Sequence, residues 1–138
     1  MREGWRKDDY LILFEESEID AANVRYAISQ FLPGYEIVGL WFWDDFVVRD
    51  SSGRTYTVPT VAPLSRYLEP FAPPQSNEPL ETDVRFEGKV KWYVKPVMFS
   101  GSPTDEANVT WVDHATHAEL VRWWNNVYLN STCSPQAR

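Results

Sequence analysis

The stretch YEIVGLWFW, residues 35–43, constrains this chain more than any other. It is apolar almost throughout and shows no clean alternation. Successive side chains of a strand face opposite sides, so Trp41 and Trp43 would share one face and Leu40 and Phe42 the other. Both faces are then apolar, which predicts a central strand covered on both sides. A stacking platform for a ligand would carry aromatic rings on one face and polar groups on the other. The aromatic residues are therefore expected to build the fold, with Trp41, Trp43 and Trp124 in the core.

The flanking segments predict the rest of an α+β domain. DYLILFEE reads as a first strand ending in acids. Ser17 has the character of a helix N-cap, with Asp20 at capping-box spacing. Val24, Ala27, Ile28 and Phe31 then form one helical stripe, stopped by Pro33 and Gly34. Asp44 and Asp45 break the apolar run as a turn or bulge. FVVRD and TYTVPTV, joined by SSGR, read as a hairpin, and Pro59 places the end of the second strand at a sheet edge. Residues 63–71 form a short helical turn between prolines, and the proline-rich segment 72–83 is a surface loop. Val90, Trp92 and Val94 alternate with Lys89, Lys91 and Tyr93, the pattern of a half-exposed strand. SPTDEANVTWV gives a turn and a short strand. Asp113 caps a last helix with Leu120, Val121, Trp124, Val127 and Tyr128 on one face. The expectation is a single α+β domain over residues 1–138, with a central, mostly antiparallel sheet and helices packed on it. Residues 1–8 and 131–138 are expected to be loose ends.

Composition limits the chemistry. The net charge is −7, from 20 acids against 13 bases. Contacts to nucleic-acid phosphates need clustered Lys and Arg, so a nucleic-acid partner is not expected, nor is an anionic membrane surface. The single cysteine, Cys133, has no partner for a disulfide and no Cys-x-x-Cys pair for zinc. No apolar run approaches the ~18 residues of a membrane helix, and the first residues lack a signal-peptide core. These features predict a cytoplasmic protein, in which the sequons at Asn108 and Asn130 would carry no glycan.

No catalytic motif is assembled. His114 and His117 share a helix face, but the zincin spacing and a third metal ligand are absent. Asp44 and Asp45, as adjacent strand residues, would face opposite ways and make a poor acid–base pair. There is no nucleophile elbow and no glycine-rich phosphate loop. The sharpest asymmetry is acidic: residues 8–20 hold Asp8, Asp9, Glu15, Glu16, Glu18 and Asp20 without a Lys or Arg. Asp44, Asp45 and Asp50 form a second group. An acidic surface of this kind suits a basic partner, whose approach it would steer.

FLPGYEIVGLWFWDDFVVRDSSGRTYTVPTV and FSGSPTDEANVTWVDHATHAELVRWWNNVY together resemble proteins of the SUKH superfamily, bacterial toxin-immunity proteins related to the yeast cell-wall assembly regulator. The matching parts are the helix ending in Leu-Pro before Gly-Tyr, the aromatic sheet core, the GSPTDEAN turn and the closing helix with Trp-Trp-Asn. The resemblance implies a single α+β domain without catalysis, cofactor or metal. It implies one-to-one binding of a cognate toxin from a polymorphic system, such as type VI or contact-dependent secretion. The expected contact residues are Glu15, Glu16, Glu18, Asp44, Asp45 and Asp50, which would occlude a basic active site. Two other readings stay open. One is a small hydrolase using Asp45 with His114 or His117. The other is an adaptor that binds a peptide on the sheet edge near Pro59 without inhibiting anything.

Overall fold

The computed structural model describes residues 1–75 and 77–132. Strands β1 (Arg2–Arg6), β2 (Asp9–Leu13), β3 (Glu36–Trp41), β4 (Asp45–Arg49), β5 (Thr55–Pro59) and β6 (Glu69–Pro70) form one antiparallel sheet in sequential order. Helix α1 (Glu16–Tyr26) connects β2 to β3. A second, two-stranded antiparallel sheet pairs β7 (Val90–Tyr93) with β8 (Val109–Val112), and helix α2 (His114–Thr132) closes the described chain. This is the expected α+β architecture with a C-terminal helix.

The core explains the order of layers. Tyr10, Ile12, Leu40, Phe46, Val48 and Val58 project from the large sheet into one cluster. Tyr26 from α1, Val90 and Trp92 from β7, and Ala118 and Val121 from α2 complete it. Leu11 and Val47 are buried on the other side of the sheet, so the middle strands are apolar on both faces. Burial of such side chains contributes roughly 1.5–3 kcal/mol each. In β7 the expected alternation holds from Val90 to Tyr93, with Val90 and Trp92 buried and Lys91 and Tyr93 half-exposed, but Val94, just past the strand, is exposed rather than buried.

Four local expectations need correction. Residues 1–8 are not a loose end: β1 pairs with β2 from Arg2↔Leu13 to Arg6↔Asp9. Its inward Glu3 is buried and accepts hydrogen bonds from the Tyr10 hydroxyl and the Gly88 amide. Residue 131 lies within α2, and residues 133–138, with Cys133, fall outside the described residues. The α1 cap is Glu15 and not Ser17, closing a capping box with Glu18. That helix ends at Tyr26 because Ala27 turns left-handed (φ 52°), and a single 3₁₀ turn, Ile28–Gln30, follows. Val24 consequently points outward and is 76% exposed, while Ile19, Ala22 and Tyr26 face the core.

The fourth correction concerns the opening stretch. β3 stops at Trp41, which pairs with Asp45, and Phe42, Trp43 and Asp44 form the turn. Phe42 and Trp43 both have positive φ, 47° and 64°. Trp43 remains a core residue, but it reaches the core from a turn rather than from a strand.

The loop at 72–83 is strapped onto β1. Trp5 and Glu81 exchange main-chain hydrogen bonds of 2.8 and 2.9 Å, and the Trp5 indole donates to Asp83 at 3.0 Å. Gly4 permits this approach, since a Cβ there would meet the Glu81 main chain at 2.6 Å.

Candidate functional site

The structure divides the candidate acids between the two ends of the β3–β4 hairpin. At the open end, Arg49 of β4 lies opposite Glu36 of β3. Its guanidinium bonds Glu36 at 2.8 Å and reaches Glu16, at the start of α1, at 3.1 Å. One cation thus serves two carboxylates. Glu15 and Glu18 are held in the capping box and lie 3.9 and 2.8 Å from the N-terminal amine. That amine foremost, and then the Glu15 main-chain amide, which donates to it at 2.7 Å, hold the Glu18 carboxyl below its usual range.

Asp50 is a turn-former. Its carboxylate accepts from the Ser52 hydroxyl at 2.7 Å, the Ser52 amide at 2.9 Å and the Arg54 amide at 3.0 Å. Those bonds, the Ser52 contact foremost, hold its carboxyl below the ordinary range. Three acids at this end share a surface: Asp20, Glu36 and Asp50 line one open groove with Asn23, Val24 and Tyr35. Asp20 is exposed and forms no ion pair among the described residues. Exposed Val24 gives the groove an apolar point beside its acids.

Asp44 and Asp45 stand at the other end. Because Asp44 belongs to the turn, the strand rule does not apply, and both aspartates line the same cleft of about 200 Å³. Their expected placement on opposite faces is therefore corrected. The cleft walls are Pro59 at the end of β5 with Thr60 and Val61 after it, Trp92 and Tyr93 of β7, and the turn Pro96–Met98. Burial pushes both carboxyls up to about 6. At Asp44, Lys91 and the Tyr93 hydroxyl offset part of that effect, and at Asp45 the neighbouring Asp44 adds to it.

The histidines are elsewhere. His117 is 1% exposed; its Nδ1 shares a hydrogen bond of 2.6 Å with the Tyr26 hydroxyl, and its ring meets Trp92 edge-on. Burial drives its pKa down to about 3, so it is a neutral core residue. His114 is half-buried rather than exposed and lines a separate pocket with Phe14, Glu18, Arg25 and Tyr26. Asp45 lies in the cleft, and neither histidine lines it. Among the described residues no cluster of three His, Cys, Asp or Glu side chains is placed to hold a metal.

Sequence reading did not find the groove or the cleft as units. Glu36 gave no signal because it sits alone beside an apolar run, and its role follows only from the β3–β4 register. Thr60, Trp92 and Tyr93 come together from segments far apart in the chain. No described helix is long and apolar enough to cross a membrane. The chain matches no known family, no curated protein and no solved structure.

Proposed function

We propose that this chain is a protein-binding module of the immunity type, a cytoplasmic inhibitor that captures a basic toxin, and not an enzyme. The observation that carries the reading is the groove lined by Asp20, Glu36 and Asp50, with Val24 exposed within it and Glu16 joined to Glu36 through their shared partner Arg49. Acids around an apolar point are what a cationic polypeptide needs: steering at long range and desolvated contact at short range. The first of the two segments that resemble the SUKH superfamily supplies Gly34, Tyr35, Glu36 and Asp50 of this groove, while Asp20 and Val24 come from α1 outside it. Of the expected contact residues, Asp50 lines the groove, and Glu16 is joined to it only through Arg49 and Glu36. Glu15 and Glu18 support it as the helix cap, and Asp44 and Asp45 belong to the separate cleft.

The test has two stages. The chain is used as bait in the host that carries it, and the retained partner is identified by mass. Cells that make that partner are then grown with and without this chain. Restored growth supports immunity. Retention without restored growth leaves an adaptor, and retention of no stoichiometric partner removes the reading.

A further inference from the structure

The cleft at the closed end of the β3–β4 hairpin combines features that the groove does not have. Asp44 and Asp45 line it without an ion pair among the described residues. Trp92, 6% exposed with its ring already edge-on to His117, and half-exposed Tyr93 line it from successive positions of β7, and Met98 and Val61 add apolar surface. Thr60 also lines it and is only 5% exposed. The hydrogen bonds Thr60 makes among the described residues use its main chain: its amide donates to Asp44 O at 2.9 Å, and its carbonyl accepts from Asn125 at 3.0 Å. Its hydroxyl makes no hydrogen bond among the described residues and is not sealed from solvent, so it is open to a group in the cleft.

Two carboxylates, an aromatic lining and an unused hydroxyl select for a cation with N–H donors and an alkyl stem. A hydrated inorganic ion would gain nothing from the apolar wall. An anion would be repelled. The volume of about 200 Å³ suits one side-chain-sized group. The wall already attracts a cation from this chain, since Lys91 Nζ lies 5.0 Å from the Tyr93 ring centroid without forming an ion pair with either aspartate.

We infer that this cleft binds a single alkyl-guanidinium or alkyl-ammonium group, seated on Asp44 and Asp45 against Trp92 and Tyr93. The source is either an Arg or Lys side chain of a polypeptide or a free organic amine. The inference rests on the proposed function only if the source is the captured partner; the cleft itself is testable on the chain alone. Burial raises both carboxyls toward about 6, so a bound cation would displace protons and binding would weaken in acid. Tyr93 is the other ionisable residue lining the cleft, and Lys91 acts on Asp44 from beside it; Pro59–Val61 and Pro96–Met98 contribute none.

The experiment titrates the full chain with butylguanidinium, with a blocked Gly-Arg-Gly peptide and with uncharged butylurea. Amide signals of Asp44, Asp45 and Thr60 and the Trp92 indole signal are followed by NMR. The inference predicts saturable shifts with both cations and none with butylurea. It predicts affinity at least about tenfold weaker at pH 5 than at pH 7.5. A folded Asp44→Asn/Asp45→Asn variant loses the response, and Lys91→Met, which removes a competing charge, strengthens it. Tighter binding of the peptide assigns the source to a polypeptide, and tighter binding of butylguanidinium to a free amine. The inference is overturned if no cation gives saturable shifts, if butylurea matches them, or if the Asn variant binds equally well. Failure here leaves the acidic groove intact, and failure of partner capture leaves the cleft intact.

Discussion

Trp43 stacks on Tyr10, ring centroids 4.9 Å apart and planes 23° from parallel. The tryptophan comes from the turn after β3, and the tyrosine from the middle of β2. Phe86 and Trp111 each meet Trp43 edge-on at 5.2 and 5.1 Å, so one ring ties the large sheet to the second sheet and to the loop before it. Trp43→Ala is expected to cost about 3–5 kcal/mol in chemical denaturation. Trp43→Phe keeps part of the stack and costs less. A Trp43→Ala protein that kept its melting temperature and lost only partner binding would place this ring at the interface instead.

The acids at the α1 start carry different loads. Glu15 closes the capping box, so Glu15→Ala should cost about 1 kcal/mol of stability before any binding is measured. Asp20 has no such duty. Asp20→Lys should change stability by less than about 0.5 kcal/mol while weakening partner binding. Thermal melts beside a binding titration separate the two effects.

His117 makes the fold acid-sensitive. Its folded pKa of about 3 lies below its ordinary value of 6.5, so the unfolded chain binds the extra proton between those limits. Stability is therefore lost as pH falls from about 6.5 toward 3. Tyr26, Trp92 and His114 surround it and offer no carboxylate contact. His117→Gln should lower stability at pH 7 and flatten the loss below pH 6.5, read from melting temperature against pH.

Asp44 and Asp45 act in the opposite sense. Their raised pKa means that the folded chain binds more protons than the unfolded chain between about 4 and 6. Their contribution to stability is present in acid and is lost as pH rises through about 6. Asp44→Asn should stabilise the fold at pH 7 by on the order of 1–2 kcal/mol. Urea denaturation at pH 7 and pH 4.5 checks this, with the gain confined to the higher pH.

The parts of this fold that were legible in the sequence are those where pattern and packing agree. β7 alternates because one face is buried, and α2 begins where Asp113 accepts from the Thr116 amide at 2.7 Å. β1 was not legible because its inward residues are Glu3 and Gly4, whose burial depends on Tyr10, Gly88 and Glu81 far along the chain. The turn after Trp41 was expected at Asp44 and Asp45 and begins earlier, at Phe42, because left-handed backbone is expected at Gly or Asn and here packing holds Phe42 and Trp43 in it. That misplaced turn also hid the cleft, since it sends Asp44 to the side on which Asp45 lies. The acids were visible as a cluster, but capping, turn-forming and free carboxylates look alike until the chain is folded and their partners are known.

The most direct measurement compares two baits in the native host, the wild-type chain and a Glu16→Lys/Asp20→Lys variant with an unchanged melting temperature. Both are washed at rising salt, and the retained chains are identified by mass. The account predicts one stoichiometric basic polypeptide on the wild type, released as salt rises, and little or none on the variant. Equal retention by both baits, or an acidic or absent partner on the wild type, would contradict it.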